Sequence, residues 1–454
     1  MASRRMKRKV KRLLLLLLLV LIVAGGFGGY KIYKKIKAHA NNNPVEKEKE
    51  KEPEPPKEVW PKVYKASLVA TGDGLLHNTL VNDAHDVATD TYDFTNETSM
   101  INDIIAKYDI AYYNQETIFG GKQEKRFNCK NMPRGYCSYP TFNSPSEFGD
   151  AMIKAGFNVV SLASNHTADC TYTSKDCLTN AYNYWAEKGE QGIVFDGINI
   201  DETKENKYNI GEVNGIKYGF LNYTNTLNGL DGSIRNFPYM IDQYSEEVVD
   251  KEVAELKEKV DVVIVAMHWH KDSAEYELNP TKANKAIAQH LADIGVNIVL
   301  GTYSHCLQPF DILDNGTVVF YSLGNFISNQ GVLSKPGYLY GGISKGVIGV
   351  LASMDITKTV NEDGTQEIKV DNLGADLLYT YNNSSYKDYK AIPFSKMNST
   401  YNKNYVSIYE KYTEVLTRLN KNISIVPYPG MPEKVETPVE NPVETPTETP
   451  VEQQ

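Results

Sequence analysis

Apolar runs that stop abruptly on metal-binding side chains constrain this chain more than any other feature. The clearest is NVVSLASNH, residues 158–166, where a run rich in valine and leucine ends on Asn165 and His166. SLVATGD leads in the same way to Asp73, with His77 four residues on. DIAYYNQE leads to Glu116, DVVIVAMHWH to His268 and His270, NIVLGTYSH to His305, and TVVFYSLGNF ends near Asn325. Short apolar runs of this kind read as buried strands, and open α/β sheets bind ligands just outside the carboxyl ends of their strands. Of the eight histidines, five lie at or near such ends; His39, His85 and His290 do not. Asp, Glu, Asn and His supply oxygen and imidazole ligands without paired thiolates. That set suits one or two divalent or transition-metal ions (Mn, Zn, Fe or Mg) and disfavours an iron–sulfur cluster.

Between the runs lie helical patterns, at about residues 100–107, 144–155, 177–188, 245–260, 280–294 and 404–419. Alternation of strand and helix predicts an α/β fold. The strand-like pairs IVFDG with IKYGFLNY, around an exposed turn ETKENKYNI, and VIGVLASMDI with TQEIKVDNLGADLLYTY, around NEDGT, add antiparallel pairing and hence mixed sheets.

The ends differ in character from this folded middle, residues 62–426. Residues 1–12 form a basic segment, and residues 13–30 are apolar or glycine throughout. At 1.5 Å per residue the latter span about 27 Å, enough to cross a bilayer's hydrocarbon. The run is longer than the apolar core of a cleaved signal peptide and no A-x-A site follows. The basic flank favours a cytoplasmic N-terminus. The expectation is a single-pass anchor in the cell membrane with the C-terminal domain extracellular. Residues 31–61 are a charged, proline-rich stalk, and residues 427–454 a Pro/Glu/Thr-rich tail without an apolar stripe, read as disordered.

A net charge of −9 argues against nucleic acid as a default partner. Cys129 and Cys137 bracket one turn-rich loop and Cys170 and Cys177 another, with Cys306 left over. Neither spacing is that of a zinc knuckle, so disulfides in an oxidising compartment are expected; three pairings of the four are possible and the sequence does not choose among them.

The residue types suggest roles. Asp73 sits on a Gly-Asp-Gly corner that leaves its carboxylate pointing outward. Glu116 could bridge to or hold a second ion, Asn165 offers a neutral carbonyl oxygen, and His268 and His305 offer nitrogen. His166, next to Asn165, is placed to act as the catalytic acid or as an orienting group. His270 shares a face with His268 if the strand continues, and Asn325 is better suited to holding a neighbouring loop.

Taken in series, GDGLLH, NQE, FNSPSEFGDAMIKAGFNVVSLASNH, the strand ending in HWH, SHCLQPF and YSLGNF resemble the CapA family of poly-γ-glutamate capsule synthesis proteins, within the calcineurin-like metallophosphatase superfamily. The likeness runs over about residues 65–350. It implies a four-layer α/β/β/α sandwich, metal-ligand candidates Asp73, Glu116, Asn165, His268 and His305, and a catalytic His166; from the residues themselves, His77, His270, Tyr303 and Asn325 are accessory candidates. Where the family's last motif has two histidines separated by one residue, this chain has Tyr303, Ser304 and His305. The resemblance implies a membrane-anchored extracellular protein of capsule polymer synthesis, export or anchoring, working with membrane-bound capsule proteins on an anionic polymer. The alternatives are a metal-dependent phosphatase or phosphodiesterase of a cell-envelope substrate, and a noncatalytic polymer-binding scaffold.

Overall fold

The structure is a computed structural model, and it describes residues 34, 35, 37, 59–122, 135–171, 175–205, 207–270 and 275–432. The chain divides into two units, Met1–Val59 and Trp60–Gln454. The expected anchor at 13–30, most of the stalk, and the tail beyond 432 lie outside the described residues. Among the described residues no helix is long and apolar enough to cross a membrane. The expectations of a transmembrane anchor, of a membrane partner through it and of single-pass topology with an extracellular domain are corrected accordingly.

Two large mixed sheets, beside two short two-stranded ribbons, make the second unit among the described residues. The strands are β1 (Lys62–Gly74), β2 (Ile110–Gln115), β3 (Val159–Ser161), β4 (Val194–Asp196), β5 (Ile210–Val213), β6 (Ile216–Thr224), β7 (Val262–His268), β8 (Ile298–Thr302), β9 (Phe310–Ile312), β10 (Val318–Phe320), β11 (Asn325–Ile327), β12 (Ile348–Val360), β13 (Gln366–Tyr381), β14 (Lys390–Pro393) and β15 (Ser424–Ile425). The first sheet runs β14-β13-β12-β1-β2-β3-β4, with β11 beside β1 and β15 beside β13; the second runs β9-β10-β8-β7-β6-β5. Pairing from β1 through β4 is parallel, as is pairing from β6 through β7 and β8 to β10. The main helices are α1 (Asn78–Ala84), α2 (Glu147–Ala155), α3 (Asp176–Gly189), α4 (Glu246–Lys257), α5 (Lys282–Asp293) and α6 (Tyr405–Leu416).

Side-chain alternation along the strands sets the layers, because successive residues face opposite sides of a sheet. Leu68 and Ala70 of β1, Ile110 and Tyr112 of β2, and Val262, Ile264 and Ala266 of β7 meet in one core between the two sheets. Val69, Ala111 and Tyr113 point the other way, onto Phe148 and Met152 of α2 and Leu178 and Trp185 of α3. Val263, Val265 and Met267 turn outward onto Val249 and Val253 of α4 and Ile287 and Leu291 of α5. The result is the expected four-layer α/β/β/α sandwich. Ser245 and Thr281 cap α4 and α5, their hydroxyls accepting the amides of Val248 and Asn284.

Two local readings change. IVFDG and IKYGFLNY do not pair around ETKENKYNI: β4 lies in the first sheet and β6 in the second. There the strand that starts at the end of that segment, Ile210–Val213, pairs antiparallel with β6, and the hairpin turns at Asn214 and Gly215, both left-handed at φ 51° and 80°. That Asn-Gly pair is the signature of a tight hairpin. VVFYSLGNF is not one strand either, since β10 belongs to the second sheet and β11 to the first. The chain crosses between sheets at Gly324 (φ 68°), whose carbonyl accepts the Asp73 amide at 3.0 Å. Gly72 permits this approach, for a Cβ there would lie 1.7 Å from the Gly324 oxygen.

Cys170 and Cys177 form a disulfide, joining the loop after His166 to α3. Cys137 is also disulfide-bonded, Cys129 lies outside the described residues, and Cys306 is free and buried.

Candidate metal centre

The parallel strands of both sheets deliver their carboxyl ends to one place. β1 carries Asp73 one residue before its end and β2 runs directly into Glu116, while β7 ends on His268 opposite Thr302, the last residue of β8. His305 follows on a turn in which Tyr303 and His305 both take left-handed backbone angles, φ 95° and 56°. Non-glycine residues adopt such angles rarely and at some cost.

Asp73, Glu116 and His305 are buried together, with one ligand atom from each inside 4.8 Å of the others. His305 Nδ1 lies 3.3 Å from Asp73 Oδ2 and 3.6 Å from Glu116 Oε2. Beside them His268 Nε2 lies 3.0 Å from Asn165 Oδ1 and 3.7 Å from Glu116 Oε1. Glu116 therefore stands between two groups of donors. Asp73 Oδ2 and both Glu116 oxygens are buried without a hydrogen-bond partner. Anionic oxygens left so in a protein interior cost several kcal/mol unless a cation compensates them. Oxygen and imidazole donors converging on that deficit fit a hard or borderline divalent ion.

Electrostatics reflect the same frustration. Burial pushes the Glu116 carboxyl well above the usual range, with Asp73 adding to it and His305 opposing. Burial alone would lower His305, but the charges of Glu116 and Asp73 outweigh it and raise the imidazole to about 10. Burial, then the neighbouring imidazoles, holds His268 well below its ordinary value.

Surrounding groups fix the donors. Asn114 donates to Asp73 Oδ1 at 2.7 Å and accepts from Ser161 Oγ at 2.6 Å. Thr302 Oγ1 lies 2.9 Å from His268 Nδ1, so the other ring nitrogen faces Asn165 and Glu116. Asn325 is not among the clustered ligands; its Oδ1 lies 3.2 Å from His305 Nδ1, and its amide donates to Ser328, Gln330 and the Gly346 carbonyl. Such contacts orient ligands and tune their basicity. At the rim, His166 Nδ1–H donates to Asp169 Oδ2 at 2.6 Å, and Phe142 N–H donates to the same oxygen.

The remaining sequence candidates fall around the cluster. His270 is exposed, its amide donating to Asn225 Oδ1 at 2.6 Å, and it is not brought into the cluster. Tyr303 packs edge-on against His268 and His270, and burial keeps its phenol above the ordinary value and hence protonated. His77 is not one of the clustered ligands; its ring is edge-on to Phe142. Sequence reasoning missed Asn114, Asp169 and Thr302. Asp169, three residues after His166 in the same loop, carried the best available signal.

The second unit is thus a four-layer α/β/β/α sandwich with a buried carboxylate–imidazole cluster, able to hold a metal ion, where its parallel strands end. The family model described as bacterial capsule synthesis protein PGA_cap matches residues 67–330, and the chain belongs to that family. It is 31% identical over 176 residues to the PGA biosynthesis protein CapA of Bacillus subtilis (strain 168), covering 38% of this chain and 43% of that protein. It is 30% identical over 185 residues to the capsule biosynthesis protein CapA of Bacillus anthracis, covering 40% and 42%. The chain thus spans less than half the length of these curated relatives. Among solved structures it is similar to a phosphatase from Mycoplasma pneumoniae (13% identity, TM-score 0.40, 72% of this chain and 97% of that one). It is also similar to the calcineurin-like phosphoesterase YfkN from Bacillus subtilis (14%, TM-score 0.39, 78% and 99%).

The expected role in capsule synthesis, export or anchoring, with membrane-bound capsule partners, is corrected at this point. The curated matches are partial, and no described helix crosses a membrane. The buried ligand cluster fits the metal-dependent hydrolase alternative better.

Proposed function

We propose that this protein is a metal-dependent phosphatase or phosphodiesterase. The observation that carries the reading is the set of three buried carboxylate oxygens on Asp73 and Glu116 that lack hydrogen-bond partners, flanked by His305 on one side and His268 with Asn165 on the other. Asp73, Glu116 and His305 would hold one ion, and Glu116, Asn165 and His268 a second, Mn, Zn or Fe being suited to these donors. Bound there, a metal supplies a water of lowered pKa and charge stabilisation for a phosphoryl group.

The chain's own groups do the rest. Asp169 holds His166 by Nδ1, which leaves Nε2 to deliver a proton to the leaving-group oxygen. The Asp169 carboxylate stabilises the imidazolium this requires. Asn114, Thr302 and Asn325 keep the donor set aligned, so little reorganisation accompanies reaction.

The test is hydrolysis of p-nitrophenyl phosphate and bis(p-nitrophenyl) phosphate by purified full-length protein, with bound metal measured by mass spectrometry. Metal-dependent turnover that falls about 10²-fold or more in His166→Ala, with metal content retained, supports the reading. A metal-loaded protein inert toward both esters, or equally active without His166, contradicts it.

A further inference from the structure

One imidazole at the site has no job in the mechanism above. His77 leads into α1, between the end of β1 and the helix. Its Nδ1 lies 3.2 Å from the Asn329 amide, which donates to it, and 3.2 Å from the Leu75 carbonyl. The two contacts demand opposite tautomers. The Asn329 N–H has a fixed hydrogen and no other acceptor among the described residues, whereas the Leu75 oxygen already accepts the His77 amide at 3.1 Å. Nδ1 is therefore the acceptor, and the ring proton sits on Nε2, which has no partner among the described residues.

Position agrees. The His77 ring is edge-on to Phe142 at 5.1 Å, and Phe142 is edge-on to His166 at 4.6 Å, so the two imidazoles flank one aromatic wall. The imidazoles of His305 and His166 both act electrostatically on His77. The segment carrying Asn329 is held too, with the Tyr389 hydroxyl 2.8 Å from Asn329 Oδ1. His77 does not belong to the cluster of candidate ligands. Burial keeps the ring neutral, its pKa lowered to about 4, and a neutral imidazole with a fixed N–H donates a hydrogen bond without repelling a nearby cation.

We propose that His77 is a further catalytic residue, its Nε2–H donating to a non-bridging oxygen of a bound phosphoryl group while His166 serves the leaving-group oxygen. This rests on the phosphoesterase reading, and the experiment separates the two. The ring tautomer is read from the ¹⁵N shifts of histidine-labelled, metal-loaded full-length protein, with the His77→Gln spectrum giving the assignment. Inorganic phosphate binding is measured by calorimetry on wild type, His77→Ala and His77→Gln with equal metal content. The expected results are a proton on Nε2, phosphate affinity lowered about 10-fold in His77→Ala, and partial recovery in His77→Gln, which keeps an N–H donor. In the ester assays kcat falls about 10²-fold for His77→Ala, with KM changing less. A proton on Nδ1, which would make Nε2 a metal-type ligand, overturns the proposal, as does unchanged phosphate affinity in His77→Ala. Failure of ester hydrolysis by wild type would sink the phosphoesterase reading while tautomer and phosphate binding still decide on the donor.

Discussion

Glu116→Gln separates a carboxylate kept for a cation from one that is merely buried. Glu116 is 1% exposed, and neither of its oxygens has a hydrogen-bond partner. A metal that binds the folded chain alone stabilises it by about 2.7 kcal/mol at a hundredfold excess over its Kd. With an unfolding entropy of about 0.8 kcal/mol/K for a unit of this size, that raises Tm by about 3–4 °C. Glutamine keeps the volume but exchanges an anionic oxygen for an NH₂ that repels a cation, so the metal-dependent rise should shrink below about 1 °C. In chelator the sign reverses. A buried polar group without a hydrogen-bond partner costs about 1–3 kcal/mol, which the His305 imidazole 3.6 Å away offsets only in part, so the metal-free variant should melt above metal-free wild type by up to about 4 °C. Calorimetry with and without chelator, alongside measured metal content, reads both effects. A variant that keeps the full metal-dependent rise, or that melts several degrees below wild type in chelator, refutes the reasoning.

Three further outcomes are expected. Asp169→Asn lowers kcat by about 10²–10⁴-fold through loss of the contact that aligns His166, and the loss is greater for alkyl phosphates than for p-nitrophenyl phosphate, whose leaving group needs little protonation; equal losses for both would argue against the acid role. Glu97, 2% exposed and raised to about 8 by burial and then by Asp83 and Asp93, is a buried acid whose ionisation opposes folding. Its folded pKa exceeds the unfolded value near 4.5, so wild type loses stability as pH rises from about 4.5 to 8; Glu97→Gln should match wild type near pH 4 and exceed it by on the order of 2–4 kcal/mol above pH 8, read by urea melts across that range. Replacing Cys170 and Cys177 by serine opens a closed loop of about eight residues and should cost about 2–3 kcal/mol, seen as a Tm lowered by about 3–4 °C.

The layers were legible because strand alternation and helix periodicity are local properties: Val262 to Met267 reads as a strand buried on both faces, and it is one. That Asp73, Glu116, Asn165, His268 and His305 would lie near one another was legible for the same reason, since each ends an apolar run and parallel strands bring such ends together. What sequence hid depends on neighbours across the sheets. Asn114 looks like one polar residue in a strand, and only the β1–β2 register sets it against Asp73. Thr302 closes an apolar run without looking like a ligand, and its contact with His268 follows from the β7–β8 pairing. The crossing at Gly324 was invisible because β10 and β11 form one continuous apolar pattern while belonging to different sheets.

The most direct measurement is a crystal structure of the metal-loaded protein with the ion located by anomalous scattering. An ion bound at once by Asp73, Glu116 and His305, at about 2.0–2.3 Å from each donor, is the expected result. An ion held elsewhere, or none at saturating metal with the three side chains in place, would contradict it.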